Sequence, residues 1–108
     1  MATLTTAAIT AAGTDPAFVA ANGAGDKVVP GDTTYLHVKN ASGVSVTVTI
    51  TAVGLCSQGS THNSVVAVPA GADRVIGPIG SRFAAVSDGL AAVTYSAVTS
   101  VTVAACRL

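Results

Sequence analysis

The chain has no tryptophan and no glutamate, and only two phenylalanines and two tyrosines among its 108 residues. Charge is equally scarce. Five Asp balance five Lys and Arg, so charged residues are 9% of the chain and the formal net charge is zero, against about 25% charged residues in an ordinary soluble domain. Each shortage excludes something. Five scattered bases leave no electrostatic footprint for DNA or RNA, and Tyr35 and Tyr95 alone make no base-stacking platform. Without Glu, a catalytic carboxylate pair has to come from Asp15, Asp26, Asp32, Asp73 and Asp88. Four of these neighbour Gly or Pro in turn sequences (Asp15-Pro16, Gly25-Asp26, Gly31-Asp32, Asp88-Gly89), where Asp usually bonds nearby backbone. No Ser lies in Gly-x-Ser-x-Gly, so a nucleophile elbow is missing. His37 and His62 are the only histidines, Cys56 and Cys106 the only cysteines, and none has the spacing of a zinc or redox motif. Gly77-Pro78-Ile79-Gly80 is too short for a phosphate cradle, and its Pro lacks a backbone donor. The sequence therefore reads as a non-enzyme with no metal and no cofactor.

What the chain has in quantity is Ala (21), Val (17) and Thr (14), about half of all residues. Val and Thr lose rotamer freedom in helices and suit strands. The period is two almost throughout. Val44, Val46, Val48, Ile50 and Ala52 fall on one face, and Ser45, Thr47, Thr49 and Thr51 on the other, the pattern of a half-buried strand in an antiparallel sheet. Thr34, Leu36 and Val38 alternate with Tyr35, His37 and Lys39 before it. With Asn40-Ala41-Ser42-Gly43 between them as turn chemistry, Thr33–Lys39 and Val44–Val53 are expected to form a β-hairpin.

Residues 54–63 read as a loop. Ser64–Val68, Asp73–Ile76 and Arg82–Val86 read as short strands. Leu90–Ala97 and Ser100–Arg107 read as two strands or one long bent one. Asp15–Ala21 is expected to make a single helical turn with Asp15 as its cap and Pro16 at the first helical position. Seven or eight short strands at this spacing predict one all-β domain, a single antiparallel β-sandwich of jelly-roll or Ig-like type. Residues 1–25 are its N-terminal strand, or an extended arm plus loop, and residues 26–108 its body.

Val and Ala bury less area each than Leu or Phe, so at about 25 cal/mol per Å² such a core is thin, and subunit contacts would add to it. So few charges also cover a free monomer poorly. Both arguments point to a surface shared with other protein. Arg is enriched at interfaces, which makes Arg74, Arg82 and Arg107 candidate contacts; Leu4, Ile9 and Phe18 are the candidates in the N-terminal segment, which is uncharged over residues 1–14. Residues 1–25 contain no Lys or Arg and so offer no basic start to an export signal. The uncharged stretch from Gly89 to Cys106 is broken by Thr94, Ser96, Thr99, Ser100 and Thr102, which argues for strands rather than a membrane helix. Cys56 and Cys106 read as two half-buried thiols, with a disulfide left open.

The run Asp32-Thr33-Thr34-Tyr35-Leu36-His37-Val38-Lys39-Asn40, then Val44 to Ile50, then Val68-Pro69-Ala70-Gly71-Ala72-Asp73-Arg74-Val75-Ile76-Gly77-Pro78, then Val93-Thr94-Tyr95-Ser96 resembles small structural proteins of tailed bacteriophages, especially those of actinobacterial hosts. The likeness runs from about Asp32 to the C-terminus and is looser over residues 1–25. It implies a virion protein on the capsid surface, assembled in the host cytoplasm. The expected role is a capsid decoration (cement) protein that binds the major capsid protein as a homo-oligomer, with a trimer favoured, and contacts no nucleic acid or membrane. These motifs do not separate that role from a head–tail connector or tail protein. A secreted or cell-surface Ig-like binding module is the alternative of a different class. No residue role transfers with the resemblance.

Overall fold

The computed structural model describes residues 2–52, 63–85 and 87–108. Cys56, His62 and nearly all of the expected loop 54–63 lie outside them, as do Val53 and Val86, the last residues of two expected strands. The strands are β1 (Ala2–Thr3), β2 (Thr6–Ala8), β3 (Val19–Ala20), β4 (Asp26–Val28), β5 (Thr34–Asn40), β6 (Val46–Ile50), β7 (Ser64–Val68), β8 (Asp73–Ile76), β9 (Ala91–Tyr95) and β10 (Val101–Arg107). They form a sandwich. The front sheet has the order β1-β4-β9-β6-β7; the back sheet has the order β2-β10-β5-β8, with β3 beside β10.

The period-two pattern places the core. β5 buries Thr34, Leu36, Val38 and Asn40, and β6 buries Val46, Val48 and Ile50. These two strands do not form the expected hairpin. β5 pairs with β10 and β8 in the back sheet, and β6 pairs with β7 and β9 in the front sheet. Their apolar rows thus face each other across the core, and the link between them is an arch.

Asn40, 2% exposed, holds that arch. Its Nδ2 donates to the carbonyls of Val44 (2.8 Å) and Val68 (3.0 Å), and its Oδ1 accepts the Ser42 N–H (3.0 Å). Side-chain bonds here replace the backbone ladder of a tight turn. Among the described residues, β6 and β7 are the only consecutive strands that pair with each other. Ala91–Tyr95 and Val101–Arg107 are accordingly two strands in different sheets.

Two further expectations are corrected. Ser81–Phe83 is a 3-10 turn followed by a single bridge, Ala84 to Ala91, where a strand over Arg82–Val86 was expected. The turn is closed by the Phe83 N–H on the Gly80 carbonyl (3.1 Å) and the Ala84 N–H on the Ser81 carbonyl (3.0 Å), and it buries Phe83. Asp15–Ala21 forms no helix. Asp15 Oδ1 accepts the Ala17 N–H (2.9 Å), an Asx turn, and Ala17 takes φ +54° before β3 begins.

The N-terminal segment pairs within its own chain and adds two parallel pairings to an otherwise antiparallel sandwich. β1 runs parallel to β4, and β2 parallel to β10. Leu4, at the crossing between sheets, donates its N–H to the Lys27 carbonyl (2.8 Å).

The core is built mainly of Val, with Leu36, Ile50 and Ile79 as its largest fully buried side chains. At the end of β8 the backbone comes so close to β5 that a Cβ on Gly77 would lie 2.8 Å from Tyr35 Cβ and 3.1 Å from the Thr34 carbonyl oxygen, so only glycine fits there without displacement.

Candidate functional site

The outward rows of the two sheets differ in chemistry. On the back sheet, Tyr35, His37 and Lys39 project from β5. His37 Nε2 lies 3.0 Å from Asp73 Oδ2. The Phe18 ring meets the His37 ring edge-on, with centroids 4.9 Å apart and planes at 76°, and Lys39 Nζ sits 4.2 Å from the Phe18 centroid, within cation–π range. Tyr35 is paired in register with Cys106, and His37 with Ala104. Cys106, a free thiol, and Ala104 are buried although they point away from the core row of β10. Desolvation, with the Cys106 thiol beside it, raises the Tyr35 hydroxyl above its ordinary value. Phe18, His37, Lys39 and Asp73 on the back face thus engage one another, while Val75, opposite His37, is 60% exposed.

The front sheet presents Thr47 and Thr49 from β6, Ala92 and Thr94 from β9, and Val65 and Ala67 from β7. Register puts Thr94, Thr49 and Val65 in one row across three strands, with Thr47 beside Ala67. Among the described residues this field carries no charged side chain, and Val65 is 61% exposed. At its far side Lys27 pairs with Asp88. That hydrogen bond, with another from the Leu90 N–H, holds the Asp88 carboxyl below its ordinary value.

Behind the face sits a buried carboxylate. Asp26, 1% exposed, accepts from the Tyr95 hydroxyl (2.7 Å) and the Asn22 N–H (3.2 Å) at Oδ2. Burial, then the neighbouring Asp26, pushes the Tyr95 hydroxyl far up. Tyr95 is thus a core-edge residue whose hydroxyl finds a buried partner. Asp26 reaches across to another strand rather than bonding only its own turn, and the pair ties β4 to β9.

The residues singled out in the sequence are scattered over this frame. Leu4 lies in the core, 6% exposed. Ile9, 40% exposed, follows β2. Phe18 packs on the back face as described. Arg74 is exposed, and its Nη1 donates to the Asp73 carbonyl (2.8 Å). Arg82 is placed in the 3-10 turn. Arg107 is exposed at the end of β10.

None of these lies on the uncharged field of the front sheet. Its Thr47, Thr49, Val65, Ala67, Ala92 and Thr94 went unmarked because none bears a reactive group; the signal was the alternating Thr of Val44–Ala52. Among the described residues, no group of three or more His, Cys, Asp and Glu is placed to hold a metal ion. Compared with known proteins, the chain matches no family model, no curated protein and no solved structure.

Proposed function

We propose that the chain is a non-enzymatic structural protein of a bacteriophage virion, a capsid decoration protein. On this reading it binds the major capsid protein as an oligomer and stabilises the outer shell. The outer face of the front sheet is the docking surface. The observation that carries this is the uncharged field formed by Thr47, Thr49, Thr94, Val65, Ala67 and Ala92 on the front sheet.

Docking of a charged face strips water from ions at a cost of several kcal/mol each unless every one is paired. A face of methyls and hydroxyls avoids that cost. Its hydroxyls can bond across the boundary, and its methyls gain about 25 cal/mol per Å² buried. The sequence resemblance supplies the phage context; the face supplies the mode of attachment. The mechanism is mechanical: each subunit bridges neighbouring shell subunits.

Co-sedimentation of the purified protein with heads that lack it tests the proposal. Saturation at many copies per head is the expected result, together with greater resistance of the heads to heat. Saturation at a few copies would replace decoration by a connector role at one vertex. Absence of binding would overturn the capsid reading and move a tail or cell-surface role ahead.

A further inference from the structure

Edge strands expose unpaired N–H and C=O groups, and natural sheets shield them with charge, proline or brevity. The back-sheet edge β8 carries Asp73 and Arg74, and the front-sheet edge β1 is two residues long. Among the described residues the other front-sheet edge is β7, Ser-Val-Val-Ala-Val: five residues with neither charge nor proline.

The direction of its free groups follows from register. The Ser96 N–H bonds to the Thr47 carbonyl (2.9 Å), and the Thr51 N–H to the Ala92 carbonyl (3.0 Å). Thr47, Thr49 and Thr51 therefore direct their backbone groups toward β9, and Val46, Val48 and Ile50 direct theirs toward β7, because the ladder alternates. Val46, Val48 and Ile50 face Val68, Val66 and Ser64. The N–H and C=O of Val65 and Ala67 are thus left pointing out of the sheet.

We infer that this edge pairs with the same edge of a second copy of the chain, antiparallel, about a two-fold axis at Val66. That register sets Val65 opposite Ala67 of the partner copy, and Ala67 opposite its Val65. All four outward backbone groups on each strand then bond in closed pairs, which is the isologous arrangement of a two-fold contact. Shifting the centre to Ala67 would place Val65 opposite Pro69, which has no N–H. The strand is neutral, so self-pairing brings no like charges together.

The pairing merges two front sheets into one continuous sheet with a doubled uncharged outer field. A five-residue edge buries less than the roughly 800 Å² per partner of a standard interface, so the dimer is concentration-dependent. This inference does not rest on shell docking and survives its failure. It sets a two-fold contact against the three-fold arrangement that the sequence resemblance implies.

The test is sedimentation equilibrium of the full chain over a concentration series reaching the millimolar range, with Ala67→Pro and Val65→Lys alongside. The Ala67 N–H bonds nothing in β6, so proline at this edge position leaves the internal ladder intact. Both variants should keep the wild-type circular dichroism spectrum and thermal midpoint. The expected result is a reversible doubling of mass for the wild type and loss of the dimer in both variants. A wild type that stays monomeric throughout would overturn the inference. So would a dimer that persists in both folded variants, or a trimer indifferent to them.

Discussion

The two outer faces of this sandwich come from the same alternation and end in opposite states. On the back face, Phe18, His37, Lys39 and Asp73 engage one another, and the outward residues Ala104 and Cys106 are buried. On the front face, Thr47, Thr49, Thr94, Val65 and Ala67 carry no charge, and their side chains make no hydrogen bond or ion pair among the described residues. The back face holds most of the side chains that a search for chemistry would select, yet those groups satisfy each other. The front face holds only the Lys27–Asp88 pair, at its far side, and its central field holds none of them. On the proposed docking role, reactivity of side chains is a poor guide to the working surface. Freedom from internal partners is the better one.

Four substitutions test that contrast. The largest effect is expected from Thr49→Lys, which puts an unpaired charge at the centre of the front field. Head binding should weaken about 100-fold, equivalent to about 3 kcal/mol, while the thermal midpoint stays near wild type because the position is at the surface. Equilibrium binding and thermal unfolding on one preparation check both halves.

Tyr95→Phe should lower unfolding free energy by about 2 kcal/mol by removing a donor from the buried Asp26 carboxylate, as read from urea titration, with head binding preserved. Its pH dependence has a defined sign. The folded Tyr95 hydroxyl titrates above its ordinary value of 10.0, so its contribution is full below pH 10 and falls as pH rises beyond it. The wild type should therefore lose more stability than Tyr95→Phe on alkaline titration, and Tyr35, raised in the same direction, keeps some of the slope in both.

Phe18→Ala removes the ring between His37 and Lys39 and should cost about 1 kcal/mol. The same urea titration reads it, and shell binding should be unchanged; a loss of binding here would make the back face the docking surface. The smallest effect is expected from Asp88→Asn. The Asp88 carboxyl titrates below its ordinary value of 3.8, so its pairing with Lys27 contributes above that pH and is lost as pH falls through the lower folded value. Acid unfolding should be slightly shallower in the variant than in the wild type, with no change in docking.

The sandwich was legible because inward apolar residues recur at every second position over β5 and β6, and the strand over Ser64–Val68 has the limits that the sequence leads one to expect. What stayed hidden was which strand pairs with which. Thr33–Lys39 and Val44–Val53 have the same apolar period whether they lie side by side or face each other from two sheets. The choice is made by Asn40, whose side chain bonds carbonyls in two separate segments, and such contacts leave no mark in local periodicity.

The Asp15–Ala21 turn failed for a related reason: Asp15-Pro16 suits both a helix cap and an Asx turn, and β3 pairing with β10 selects the second. The front field was half legible. Its Thr row could be read from β6, whereas its neighbours Val65, Ala67, Ala92 and Thr94 come from strands brought alongside only by the fold.

The most direct test of the account is co-sedimentation of wild type, Thr49→Lys and Phe18→Ala with heads lacking the protein, with copy number read from the pellet. The account predicts equal saturation at many copies per head for wild type and Phe18→Ala, and little or no Thr49→Lys in the pellet. Equal binding of all three, or loss confined to Phe18→Ala, would contradict it.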